Sequence, residues 1–96
     1  MAISAMRIDE RDTVAVVLEA VAKGDRVAFG PGERAVEAVE PVPVYHKIAL
    51  TDIPKGQRVI KYGECIGVAT ADIRMGAHVH VHNVQSESLV RKEGTR

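Results

Sequence analysis

The chain has very few aromatic residues: 3% of its 96 residues, with one Phe, two Tyr and no Trp. Its core must therefore be built from Val, Ile, Leu and Ala. A single cysteine, Cys65, excludes an internal disulfide framework and suits a reducing, cytoplasmic setting. Net charge is also absent, because 13 Lys and Arg balance 13 Asp and Glu. A domain that neutralises phosphates needs a basic excess, so nucleic acid is not an expected partner. No apolar run nears the ~20 residues that span a bilayer. Arg7, Asp9, Glu10 and Arg11 stand where a signal peptide would be apolar. The expectation is a cytoplasmic domain with no membrane partner.

What the chain does have is aliphatic. Hydrophobic residues make up 46% of it, too many for intrinsic disorder. One domain of this length buries roughly 64% of its unfolded surface, which allows a modest core. Composition divides the chain into an N-terminal extension (residues 1–11), a folded domain (12–84) and a polar C-terminal tail (85–96).

A short pattern recurs three times. Val21-Ala22-Lys23-Gly24-Asp25-Arg26-Val27 matches Ile53-Pro54-Lys55-Gly56-Gln57-Arg58-Val59 and Ile73-Arg74-Met75-Gly76-Ala77-His78-Val79. The separations are unequal, which excludes a solenoid of fixed period. Each copy reads as an aliphatic anchor, a turn whose glycine adopts a backbone angle other residues resist, and a strand entered with Val inward. Between these turns, Thr13 to Leu18 reads as a β-branched strand, although Val14, Val17, Leu18 and Val21 also satisfy helical spacing. Pro41 and Pro43 confine Ala35 to Val44 to an edge or extended connector. Further short strands are expected at His46 to Leu50, Val59 to Tyr62, Ile66 to Thr70 and Val79 to Val84.

The informative segment is Gly76-Ala77-His78-Val79-His80-Val81-His82-Asn83, which holds three of the four histidines. In an extended strand His78, His80 and His82 share one face while Val79 and Val81 point to the core. Neighbours two apart lie roughly 7 Å apart, so two imidazoles can lean onto one divalent metal; three in line cannot. A third ligand would come from His46, a carboxylate or another chain. Three readings fit this row: the wet face of an edge strand, a metal site, and an acid–base or substrate-binding face. His80-x-His82 with Glu87 and Gly94 also mimics part of a cupin signature. The glycine that should precede the histidines is missing, and the charged tail makes a poor barrel strand.

Taken together, the block His46-Lys47-Ile48-Ala49-Leu50, Ile53-Pro54-Lys55-Gly56, Val59-Ile60-Lys61-Tyr62-Gly63-Glu64-x-Ile66-Gly67-x-Ala69-Thr70-x-Asp72-Ile73 and Gly76-x-His78-Val79-His80-x-His82-Asn83 resembles the amino-terminal module of the altronate dehydratase family. It is similar as well to the small subunit of sulfolactate sulfo-lyase. The resemblance implies a mostly β, SAF-type β-clip fold of short strands and tight turns. It also implies a lyase that removes water, or sulfite, from a hydroxy acid by β-elimination, giving a 2-keto acid. A divalent metal accompanies such dehydratases, Fe2+ first and Mn2+ or Zn2+ as alternatives. The implied partners are a separate large catalytic subunit and a sugar acid or sulfolactate substrate. In isolation the chain would be inactive and could form a homodimer or trimer.

The resemblance carries over residue by residue. His46, His80 and His82 match motif positions expected to face the active site as catalytic groups, with His80 and His82, joined by His46, as the metal ligands. His78 falls on the same strand, toward its solvent end. Lys47 and Lys61 would neutralise a substrate carboxylate or remain solvated, and Asn83 would bond substrate hydroxyls or end the strand. Thr70 and Asp72 are expected to organise the third turn. Cys65 reads as an incidental half-buried thiol rather than a nucleophile. The alternative to a lyase subunit is a non-catalytic β-clip module that binds carbohydrate or protein through its histidine face.

Overall fold

The computed structural model describes residues 2–30 and 34–86. These form nine strands: β1 (Ile3–Met6), β2 (Val14–Val17), β3 (Arg26–Phe29), β4 (Ala35–Glu37), β5 (Lys47–Ala49), β6 (Arg58–Lys61), β7 (Glu64–Ala69), β8 (His78–Val79) and β9 (Val84–Gln85). One sheet has the order β4-β3-β1-β2-β5-β8 and the other β6-β7-β9. The architecture is mostly β, as a β-clip requires. Among the described residues no helix is long and apolar enough to cross a membrane.

β2 settles the ambiguity between strand and helix in its segment. Val14 packs into one apolar cluster, while Ala15 and Val17 pack into the other. A strand buried on both faces needs a continuous apolar run rather than alternation, and this one mimics helical spacing. Burial on this scale contributes about 25 cal/mol per Å² of apolar surface removed from water.

The turn pattern recurs four times rather than three. Gly24, Gly56 and Gly76 have φ of 92°, 90° and 89°, and Tyr45 takes the equivalent place in Val42-Pro43-Val44-Tyr45-His46-Lys47-Ile48 with φ 67°. Each turn is closed by one bond: Asp25 N to Ala22 O, His46 N to Pro43 O, Gln57 N to Pro54 O and Ala77 N to Arg74 O, at 2.9–3.0 Å. Each also clamps one buried residue by a reciprocal pair. Gly24 N donates to Ala38 O and Ala38 N to Asp25 O; Tyr45 N donates to Val17 O and Val17 N to His46 O. Gly56 pairs in this way with Ala69, and Gly76 with Ala49.

These clamps divide the fold into two equivalent units. The anchors Val21 and Val42 are bridged to each other, as are Ile53 and Ile73. Val17, Val21, Val27, Ala38, Val42 and Ile48 belong to the first cluster; Ala49, Ile53, Val59, Ala69, Ile73 and Val79 take the same places in the second. β5 closes the first unit and opens the second, pairing with β2 on one side and β8 on the other.

Three expectations need correction. Residues 1–11 are not wholly an extension, since β1 lies between β3 and β2 and Ile3 and Ala5 pack on the core. A strand of four residues with Ser4 and Met6 facing outward gives too short an alternation to stand out. The single strand from Val79 to Val84 does not form: β8 ends at Val79, a turn follows, and β9 begins at Val84. Val81, expected in the core, is 81% exposed. The polar tail was expected from residue 85, but Gln85 still pairs in β9, and residues 87–96, with the cupin-like Glu87 and Gly94, lie outside the described residues.

Candidate functional site

The β5–β8 register pairs Lys47 with Val79 and Ile48 with His78, so its continuation sets His46 opposite His80. The rings of His46 and His80 stack with centroids 4.1 Å apart. His78 joins them: His46 Nδ1 and His78 Nε2 are 2.8 Å apart, a hydrogen bond in which one ring donates and the other accepts. One nitrogen from each of His46, His78 and His80 lies within 4.8 Å of the other two. His80 Nδ1 is buried and has no hydrogen-bond partner among the described residues. A buried ring nitrogen left over in this way is costly unless something else pairs with it.

Two members of the cluster, His78 and His80, are shifted toward the neutral form. Burial pushes His78 below the ordinary imidazole range, and His82, His46 and His80 push it further, against the pull of Glu40. Burial also lowers His80, followed by the charges of His46, Lys47 and His82. Neutral imidazole is the form that ligates a metal. Glu40 was not singled out in the sequence; its Oε2 accepts the backbone N–H of His78 at 2.9 Å. Gly76 makes that approach possible, since a Cβ there would overlap the Glu37 carbonyl oxygen, and Gly76 O accepts Val39 N at 3.0 Å.

Beside the cluster is a pocket of about 240 Å³ lined by Lys47, Ile66, His80, Val81, Val84 and Ser86. Lys47 is half-buried, and burial, followed by the charge of Lys61, lowers its pKa. The Nζ of Lys61 lies 4.7 Å over the ring of Tyr62. A half-buried ammonium near a second ammonium favours an anionic occupant.

The other expected site residues fall elsewhere. His82 is exposed on the turn, its ring 5.0 Å from that of His78 but outside the group of three nitrogens. His78, expected at the solvent end, takes the place beside His46 and His80 that His82 was expected to fill. Strand alternation missed this because the chain turns after Val79. Asn83 makes that turn: its Nδ2 donates to His78 O at 2.8 Å, and its Oδ1 accepts His80 N at 2.9 Å. Asp72 does not organise its own turn but caps Lys55 N at 2.8 Å, while Asp52 caps Met75 N in return. Thr70 contributes a backbone bond to Asn83 O. Cys65 Sγ donates to Gly67 O at 3.3 Å, which suits a structural thiol.

A mostly β chain of two such units is an SAF-type β-clip, here with an imidazole cluster where the start of β5 meets the end of β8. The chain belongs to the altronate/galactarate dehydratase SAF domain family, whose model matches residues 3–87. It is 46% identical over 81 residues to altronate dehydratase of Escherichia coli, covering 84% of this chain and 16% of that protein. It is 37% identical over 84 residues to altronate dehydratase of Bacillus subtilis, covering 86% of this chain and 16% of that one. The (2R)-sulfolactate sulfo-lyase subunit alpha of Chromohalobacter salexigens is 43% identical over 51 residues, which are 53% of this chain and 54% of that subunit. The chain thus spans about one sixth of the length of the dehydratases it matches.

Proposed function

We propose that this chain is the small, SAF-type component of a metal-assisted hydroxy-acid lyase of the sugar-acid dehydratase type, completing the active site of a separate large catalytic subunit in the cytoplasm. The observation that carries this reading is the convergence of His46, His78 and His80 beside the pocket under Lys47. The three nitrogens and the unpartnered Nδ1 of His80 fit a divalent metal, Fe2+ first, with Mn2+ or Zn2+ as alternatives. Bound there, the metal would polarise a leaving hydroxyl. Lys47 would hold the substrate carboxylate, with Lys61 adding to the positive field. The exposed His82, beside the cluster but outside the group of three nitrogens, would take or return a proton. The product of such an elimination is an enol that becomes a 2-keto acid.

A sulfo-lyase reading has its own support. The sulfolactate sulfo-lyase subunit alpha is a small chain, about half covered by its 51 aligned residues. Sulfite would then leave in place of water from the same site. The deciding experiment is co-expression with the same organism's large subunit in the presence of Fe2+, followed by assay of altronate, galactarate and sulfolactate for 2-keto acid, with free sulfite measured for the last. His46→Ala and His80→Ala should each reduce product formation at least 100-fold. Full activity in both variants would remove the histidine cluster from the chemistry.

A further inference from the structure

Both tyrosines of the chain have left-handed backbone, Tyr45 at φ 67° and Tyr62 at φ 58°. Side chains resist this region because Cβ crowds the following carbonyl. Tyr62 puts its ring to use, with Lys61 Nζ 4.7 Å above it. Tyr45 has no such return: it is 71% exposed, and no described residue bonds its hydroxyl or sets a ring or a cation against its own. The three equivalent turns place glycine at this position, so the fold asks for none of the atoms beyond Cα. Tyr45 immediately precedes His46, whose ring belongs to the imidazole cluster. Its neighbour Val44 is 42% exposed, and Leu18, next to the clamped Val17, is 45% exposed. Strain held in place without repayment inside the domain points to a use outside it.

We infer that Tyr45 is an anchor by which this domain docks its large catalytic partner, seating that partner on the rim of the histidine cluster. The inference rests on the proposed two-component lyase. The occupant follows from length: the chain covers 16% of each altronate dehydratase, and the uncovered remainder in those proteins must lie against this domain for the cluster to serve the same active site. An exposed aromatic with few rotatable bonds, flanked by aliphatic side chains, is the type of residue that dominates binding at the centre of an interface. A tyrosine at this place adds contact area at small entropic cost, which offsets its backbone strain only when the partner is bound.

The test compares wild type, Tyr45→Gly and Tyr45→Phe as full chains, each titrated against the same organism's purified large subunit, alongside thermal unfolding of the free chain. Tyr45→Gly should unfold at the same or a higher temperature than wild type yet bind the large subunit at least tenfold more weakly. Tyr45→Phe should bind within threefold of wild type. Tyr45→Gly that binds as tightly as wild type overturns the inference, as does a Tyr45→Gly chain that is clearly less stable. A wild-type dimer that Tyr45→Gly dissociates without weakening the large subunit's binding would assign the residue to self-association instead. If the wild-type chain does not bind the large subunit at all, the two-component reading fails first and this inference falls with it.

Discussion

His46 Nδ1 and His78 Nε2 lie 2.8 Å apart although the residues are separated by 32 positions in the chain. Two imidazole nitrogens at this distance share one proton, and a divalent cation that took its place would leave each neutral ring protonated on the nitrogen turned away from the metal. Titration of the free chain with Co2+ or Zn2+ should therefore show binding that depends on the rings of His46, His78 and His80. His46→Ala, His78→Ala and His80→Ala should each weaken the metal more than the about 10–100-fold typical of losing an outer-shell partner. His82→Ala should fall below that range, because its ring is outside the group of three nitrogens. Calorimetry together with the visible spectrum of bound Co2+ reads both effects. Equal losses for His82→Ala and His78→Ala would restore the ligand pair expected from strand alternation.

The equivalent turns give a graded test of backbone strain. A Cβ at Gly24 or Gly56 meets nothing within 4 Å, so alanine there costs only the left-handed backbone, about 1–2 kcal/mol. At Gly76 the added carbon would overlap the Glu37 carbonyl oxygen and crowd Val39 N. Adding overpacking to the backbone cost gives about 2–5 kcal/mol for Gly76→Ala. Urea denaturation of the three alanine variants should rank Gly76→Ala last. Its metal affinity should fall as well, because the segment carrying Glu40 must shift away from His78.

Asp12 supplies a pH dependence unrelated to the histidines. It is buried and joins the N-terminal loop to the β6–β7 hairpin, its Oδ1 accepting Gly63 N at 2.7 Å and its Oδ2 accepting Ile8 N and Asp9 N at 3.2 and 3.1 Å. Burial raises its pKa, but the backbone donors of Gly63, Asp9, Tyr62 and Ile8 together outweigh it, and the carboxyl titrates below its ordinary value of 3.8. A carboxylate depressed in the folded state stabilises above the unfolded pKa and loses that contribution as pH falls through the folded one. Denaturation midpoints should hold steady down to about pH 4 and then decline. Asp12→Asn should cost about 1–3 kcal/mol near neutrality and flatten the acid decline. A variant with the full wild-type slope would assign that slope to other groups.

Local structure was legible wherever one residue type answers one backbone demand. Gly24, Gly56 and Gly76 marked three turns by their shared flanks, and each has positive φ. The fourth copy is hidden in the sequence because Tyr45 stands in the glycine position and Val44 where the other copies have Lys or Met, and with it the two-unit organisation is hidden too. β1 was read as an extension because four residues carry too little periodicity, and it is pairing with β2 and β3 that fixes it. His78 and His80 share a face as alternation requires, but Val81 and His82 do not continue the strand. Asn83 draws the chain into a turn through two side-chain bonds that no period of two anticipates.

By itself the sequence determined the chemistry on offer: imidazoles spaced two apart, lysines without a basic excess, an aliphatic core and glycine-marked turns. Those are properties of side chains and near neighbours, carried within a few residues of chain. Only the tertiary structure decided which imidazoles meet. The pairing of β5 with β8 sets His46 across from His80 and beside His78, and Gly76 lets the connector through Glu40 close in from a third direction. Such contacts depend on hydrogen-bond register between distant segments, fixed by burying both apolar clusters at once, and no local pattern encodes that register.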